Sequence, residues 1–308
     1  MLFNFLVVSL GIIIIIILNL KYKTTYVNNA YFKEHFSNPK ENVTKVSPQN
    51  IYDRFYANVY DELFDSDMKN EFECMLLNKD FISKNEKKKI KILDIGCGTG
   101  QHMKILNRYG YNMTGLDISK YMIKSAKKKL KSKNINFKLG DYHNTKLFKR
   151  REFSHILCLF FTIAYCKNLE LFFKNINYWL TPNGFIFIHV VNRDKFDPVL
   201  ERSSSLIPFF DPQRYSNKRN TKTKLHFTNF TYESDWNFDD KVTVFSEDFQ
   251  FKDEPYSRTN KHIFKFYKQK EIINMAVKNG FKLVKVIDEF TIGFNYNYIL
   301  CLQKKYGK

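Results

Sequence analysis

Residues 92–100 read Ile92-Leu93-Asp94-Ile95-Gly96-Cys97-Gly98-Thr99-Gly100, an apolar run that passes directly into a glycine-rich turn. The run from Ile90 to Ile95 predicts a strand. Glycine tolerates the positive φ angles that so tight a turn needs, and lets the backbone approach a ligand closely. Gln101 to Tyr109 then predicts a helix, whose first N–H groups lack partners inside the helix and face the same crevice. Strand, glycine turn and helix start, in that order, predict a site for a nucleotide-like ligand.

On either side of this stretch, strand and helix patterns alternate. Tyr52 to Met68 predicts a helix carrying Tyr56, Tyr60 and Asp61. Asn112 to Leu116 predicts a second strand, ending in Asp117, and Ser119 can cap a helix that runs to about Leu130. Ile135 to Leu139 is a third strand, ending in Gly140-Asp141. Phe153 to Phe161 is a fourth, too apolar to face water on either side. Leu169 to Leu180 is a helix, and Thr181-Pro182-Asn183-Gly184 turns into a fifth strand, Phe185 to Val191. After a polar loop at 200–222, Leu225 to Glu233 and Val242 to Phe251 predict a hairpin. Lys268 to Lys278 is a helix closed by Asn279-Gly280, and Phe281 to Ile287 and Tyr298 to Gln303 are the last strands. Strands separated by helices through short loops imply an α/β fold, a doubly wound and mostly parallel sheet of seven strands. Ligands of such sheets bind beyond the carboxyl ends of the strands. Asp117 and Asp141 stand there, the first placed to accept both hydroxyls of a ribose and the second to reach an adenine amino group.

The turn itself narrows the ligand. A Walker loop ends in Gly-Lys-Ser/Thr, whereas Gly100 is followed by Gln101-His102. A dinucleotide fingerprint needs a third glycine at position 101, where Gln101 stands. The spacing Asp94-x-Gly96-x-Gly98-x-Gly100 resembles motif I of the class I S-adenosylmethionine-dependent methyltransferases. The likeness extends from about residue 51 to the C-terminus. Within that superfamily the chain is most similar to small-molecule N-methyltransferases of the amino-sugar type. Tyr56-x-x-x-Tyr60-Asp61, Gly100-Gln101-His102, Leu159-Phe160-Phe161-Thr162-Ile163-Ala164-Tyr165 and the late hairpin carry that narrower likeness. The resemblance implies S-adenosylmethionine as cofactor and a small-molecule acceptor, an amine or hydroxyl. It implies that Asp94, Gly96, Cys97, Gly98 and Gly100 line the methionine end, Asp117 and Ile118 the ribose, and Asp141 and Tyr142 the adenine. Met122 packs near the ribose or adenine, Leu159 begins the wall beneath the methyl group, and Tyr56 closes the site from above. The chain differs from the amino-sugar group at Tyr165, where that group carries His, and at Val191-Asn192-Arg193, where it carries bulky aromatics.

Methyl transfer needs alignment and exclusion of water, and a base only when the nucleophile arrives protonated. Tyr165 and His189 are the candidate catalytic residues, with His143 a third possible base. A binding protein that has lost catalysis and an RNA methyltransferase are the competing functions. The intact glycine turn with both acids speaks against the first, and only charge supports the second. Asp/Asn-Pro-Pro-Tyr, the usual signature of amino-methylating nucleic-acid enzymes, is absent after the fourth strand, and no proline precedes a cysteine as cytosine-C5 chemistry requires.

The chain has 308 residues, 44% hydrophobic and 17% aromatic, enough for one large domain with appendages. Its net charge is +19. Charge of that sign attracts nucleic acid or anionic lipid. Lysines spread along the chain without an Arg-rich stripe favour solvated helix faces instead. The five cysteines form no C-x-x-C pair, which argues for a reducing compartment and against a zinc site. Leu2 to Leu20 is almost wholly apolar. As a helix it spans about 28 Å, close to a bilayer core. It predicts a transmembrane anchor over residues 1–20, a polar linker over 21–50 and a methyltransferase domain over 51–308, with an acceptor-side insertion at about 193–265. Lys21, Lys23 and Lys33 place the body on the cytosolic side.

Overall fold

The structure, a computed structural model, describes residues 43–46, 50–64, 66–84, 86–198, 219–239, 242–252 and 255–305. The predicted transmembrane helix and most of the predicted linker lie outside these. Among the described residues no helix is long and apolar enough to cross a membrane.

The chain divides into two compact units. The larger comprises residues 48–197, 237–244 and 262–308; the smaller includes 198–236 and 245–261. In chain order the elements are β1 (Val43–Val46), α1 (Arg54–Phe64), α2 (Asp67–Leu77), β2 (Lys91–Ile95), α3 (Gln101–Leu106), β3 (Asn112–Asp117), α4 (Lys120–Lys129), β4 (Ile135–Leu139), β5 (Phe153–Cys158), α5 (Leu169–Trp179), β6 (Leu180–Val191), β7 (Lys222–His226), β8 (Phe230–Phe238), β9 (Thr243–Phe251), β10 (Ser257–Phe264), α6 (Gln269–Lys278), β11 (Phe281–Asp288) and β12 (Asn297–Lys304).

Seven strands form the sheet of the larger unit in the order β11-β12-β6-β5-β2-β3-β4. Pairing is parallel from β6 to β4, and only β12 runs antiparallel to its neighbours. Its inner strands are apolar on both faces because both faces are covered. Leu93, Ile95, Ile156, Ile186, Leu300 and Leu302 pack on one face, against Phe172, Phe173, Ile176 and Trp179 of α5 and Ile272 and Ala276 of α6. Ile92, Met113, Leu157, Phe187, Ile299 and Cys301 pack on the other, against Cys74 and Leu77 of α2 and Met103 and Leu106 of α3.

The structure differs from the sequence pattern in three places. The predicted helix over Tyr52–Met68 is two helices. Ser66 accepts the Lys69 N–H and starts α2 anew, and a π-helical turn at Asn78–Ile82 extends it. β5 ends at Cys158 rather than Phe161, because Phe160 takes a left-handed φ of 50°. The predicted hairpin is part of a five-stranded sheet, ordered β1-β10-β9-β8-β7. Phe227 donates to the Phe230 carbonyl at 2.9 Å, and this turn splits the first predicted strand into β7 and β8. β10 escapes the apolar-alternation signal because its buried face is Arg258, Asn260 and His262 before Phe264. β1, inside the predicted linker, pairs parallel to β10 from Val43↔Ser257 to Val46↔Asn260.

Phe187 is fully buried in the sheet. Phe187→Ala should lower the unfolding free energy by about 3–5 kcal/mol in chemical denaturation, whereas Tyr178→Ala at an exposed α5 position should change it by less than about 0.5 kcal/mol. Similar losses in both would contradict this packing.

Candidate functional site

The glycine turn has the predicted backbone: Gly96, Gly98 and Gly100 have φ of 67°, 53° and 87°. Gly96 and Cys97 both donate to the Leu116 carbonyl, at 2.8 and 3.1 Å, which hangs the turn on the end of β3. A Cβ at Gly96 would meet Thr162 Oγ1 at 2.5 Å, so the turn sits directly against the segment after β5. Above Gly98 there is room: the sole contact of an added Cβ is Tyr60 Cε1 at 3.9 Å.

Two carboxylates face this turn. Asp117 Oδ2 accepts the Gly98 N–H at 2.9 Å, and its Oδ1 accepts the Ser119 N–H at 2.8 Å. Ser119 caps α4 as predicted, accepting the Tyr121 and Met122 N–H groups, and donates its own hydroxyl to the Tyr52 carbonyl at 2.5 Å. Burial pushes the Asp117 carboxyl above the usual range, opposed by the N–H groups of Ser119, Gly98 and Ile118. Asp94 is 3% exposed, and burial pushes it up to about 7; His102 lowers it while Asp117 and Glu73 raise it. Two carboxylates side by side, both raised by burial and Asp94 raised further by Asp117, make a site that favours a cation.

The Tyr56-x-x-x-Tyr60-Asp61 motif lies on α1, one turn apart on one helix face. The rings of Tyr56 and Tyr60 are 6.0 Å apart, edge to face. Asp61 accepts the Thr99 hydroxyl from inside the glycine turn and ion-pairs with Lys129 of α4. One carboxylate thereby latches α1 to both the turn and the helix behind it.

Tyr165 lies on a 3₁₀ turn after β5, at Thr162–Tyr165. Its hydroxyl is 2.8 Å from the Tyr52 hydroxyl and 2.6 Å from His262 Nδ1. His262 Nε2 is 3.4 Å from the Tyr56 hydroxyl, and the imidazole stacks on Phe264 at 5.8 Å. His262 is 2% exposed. Sequence reasoning missed both His262 and Tyr52. The available signal for His262 was the inward polar alternation of β10, since a buried polar side chain is the informative exception.

His189, the second predicted catalytic residue, is brought elsewhere. It is 1% exposed, donates from Nδ1 to the Phe160 carbonyl at 2.8 Å, and places Nε2 3.0 Å from Asn297 Oδ1. Burial, and then the Lys69 charge, push it down to about 4. His143 is held by Asp141, whose Oδ1 lies 2.9 Å from both its backbone N and its Nδ1. The Tyr142 ring packs edge-on against Phe172 at 5.5 Å. Met122 and Leu159 are buried and Ile118 is exposed. Sequence reasoning also missed a buried cluster next to the turn. Glu73 takes an ion pair from Lys69 and a 2.6 Å contact from His102 Nε2, and Lys69 lies 3.2 Å from Glu289. Burial, with Glu73 beside it, pushes Glu289 up to about 9. Among the described residues no cluster of His, Cys, Asp and Glu could hold a metal ion.

Residues 93–188 match the family model described as a methyltransferase domain. The chain has the class I methyltransferase α/β fold, a mostly parallel sheet of seven strands. An uncharacterised protein of Methanocaldococcus jannaschii is 32% identical over 148 residues, 48% of this chain and 53% of that protein. A ubiquinone biosynthesis O-methyltransferase of Rickettsia typhi is 31% identical over 116 residues, 36% of this chain and 45% of that enzyme. The chain thus spans about half the length of these curated relatives. The fold is shared with an amino pentose methyltransferase from Micromonospora echinaspora, solved with S-adenosylmethionine bound. That likeness has a TM-score of 0.57 and 15% identity, and covers 83% of this chain and 99% of that one.

Asp94 sets a pH dependence. Its carboxyl is raised in the fold from an ordinary 3.8 to about 7. The folded state therefore binds more protons between these values, so its contribution to stability is complete below about pH 4 and lost as pH rises through 7. Between pH 5 and pH 8 the unfolding free energy should fall, and Asp94→Asn should remove up to about 2.5 kcal/mol of that fall. Equal slopes for the two proteins in urea titrations would contradict the burial of this charge.

Proposed function

We propose that this protein is a methyltransferase that carries a methyl group from S-adenosylmethionine to a small-molecule amine or hydroxyl. The observation that carries the reading is the pair of carboxylates, buried Asp94 and half-buried Asp117, at a glycine turn with room above Gly98. These residues fit the cofactor, which has a cationic sulfur, a cationic amino group and a ribose, and no phosphate for a Lys or Arg to hold. Asp94 and the turn would hold its methionine end, Asp117 its ribose hydroxyls, and Asp141 with Tyr142 its adenine. When bound, it supplies a methyl carbon on a sulfur that is already a good leaving group.

The protein's part is to align the acceptor, exclude water and take up one proton. Tyr165 is the group we place at the acceptor. Its hydroxyl oxygen accepts the acceptor's proton while its own proton passes along the 2.6 Å contact to His262 Nδ1. Tyr52 holds the Tyr165 hydroxyl from the other side, and Tyr56 faces His262 Nε2. His189 acts at one remove in this reading, by holding the Phe160 carbonyl and thus the segment that leads to Tyr165. The apolar run Leu2–Leu20 and the lysines after it support a single-pass membrane anchor with this domain in the cytosol.

A labelled-methyl transfer screen of amines, sugars, lipids and RNA with the full chain tests the reaction. With the acceptor it identifies, His262→Ala should lower kcat by about 10²-fold, leaving cofactor affinity within a factor of about two. An unchanged kcat removes His262 from the proton path. Asp117→Ala should weaken cofactor binding by about 1–3 kcal/mol through lost charge-assisted bonds; unchanged affinity in calorimetry contradicts the ribose assignment.

A further inference from the structure

Lysines occur along the whole chain, but acids do not, and the net positive charge peaks in one stretch of the fold. From Lys120 to Arg151, twelve lysines and arginines stand against one acid, Asp141, a local net of +11 within a total of +19. These residues make up α4, β4 and the connection to β5, and β4 is the outer strand of the seven-stranded sheet. All twelve basic residues are exposed. Lys129 is committed to Asp61, Lys120 lies over the Tyr121 ring and Lys138 over the Phe148 ring.

The same edge has an open face. Parallel strands are joined by crossovers that are usually helical. The connection between β4 and β5, residues 140–152, holds only a 3₁₀ turn at Thr145–Leu147. With no helix over it, the face that carries Thr114, Asn136 and Lys138 forms a groove of about 720 Å³, walled also by Lys146, Lys149, Tyr178 and one acid, Glu152, whose carboxylate is held by the Lys149 N–H at 2.7 Å.

We propose that this edge docks on an anionic lipid surface, with a phosphate headgroup seated in the groove between Lys138, Lys146 and Lys149. The residue types favour lipid over nucleic acid. Ten of the twelve basic residues are lysines. An ammonium is a compact point charge suited to a diffuse anionic surface, whereas recognition of nucleic acid draws on the planar arginine fork and on stacking platforms. Tyr178 is the one exposed aromatic side chain in the groove. The commitment to lipid rests on the membrane location proposed above, since a tethered domain meets the anionic leaflet first.

The test uses the full chain with vesicles of phosphatidylcholine alone and of phosphatidylcholine with about 30% phosphatidylserine. The apolar N-terminal run adds to binding in both, so the ratio of the two partition coefficients isolates the charge. We expect a ratio on the order of a hundred at 0.1 M salt, falling to about three or less at 0.5 M. The variants Lys124→Gln/Lys127→Gln/Lys128→Gln/Lys131→Gln and Lys138→Gln/Lys146→Gln/Lys149→Gln should each lower it about tenfold or more, with cofactor affinity and circular dichroism unchanged. A ratio insensitive to salt, or equal in wild type and both variants, overturns the proposal. So does displacement of the wild type from the vesicles by single-stranded RNA at matched phosphate, which would make nucleic acid the partner. Cofactor binding, read on the same samples, tests the methyltransferase function separately.

Discussion

The site depends on the left-handed backbone of Gly96, Gly98 and Gly100. Side chains there would be strained, and at Gly96 would collide with Thr162. With glycine in place, the turn brings together three chain segments distant in sequence. Leu116 holds the turn to β3, Asp61 holds it to α1, and Thr162 packs on it from the segment that bears Tyr165. Asp117 closes the arrangement by accepting the Gly98 N–H, so the carboxylate assigned to the ribose is already positioned by the turn. The proposed cofactor and acceptor sides are therefore mechanically continuous through a few backbone atoms.

The electrostatics divide in the opposite sense from the net charge. The chain is strongly basic, yet the groups at the turn are acids: Asp94, Asp117 and, next to them, Glu73. Lysines occupy solvent, where they cost little, and Lys69, buried, is held by Glu73 and Glu289. The interior thus selects a cation while the surface selects an anion. These are separate functions of one fold, and changing the lysines of α4 leaves the carboxylates of β2 and β3 untouched.

Much of this was legible in the sequence, for identifiable reasons. The parallel strands announce themselves because burial on both faces demands unbroken apolar runs, as in Ile156–Leu159 and Ile186–Ile188. The positions of Asp117 at the end of β3 and of Ser119 as the cap of α4 were legible because strand ends and helix caps have local rules. Legibility failed where partners come from far away. His262 meets Tyr165 across 97 residues, and its strand carries polar groups inward, which hides it from an apolar pattern. Tyr52 enters the hydroxyl cluster through a loop that Ser119 fixes from α4. His189 showed only that it sits in a strand; that it holds the left-handed Phe160 is a tertiary fact. The second half of the α1–α2 region was unread because Ser66 resets the helix where the pattern looks continuous.

The central claim is that the carboxylates at the glycine turn receive the cationic methyl donor. Calorimetric titration of the full chain with S-adenosylmethionine at pH 7, repeated in buffers of different ionisation enthalpy, tests it most directly. Asp94, pushed up to about 7, is half protonated in the free protein at that pH. An arriving cation should draw it to the charged form and release about half a proton per molecule bound, vanishing above about pH 8.5. Absence of binding at millimolar cofactor, or binding with proton uptake, would contradict the account.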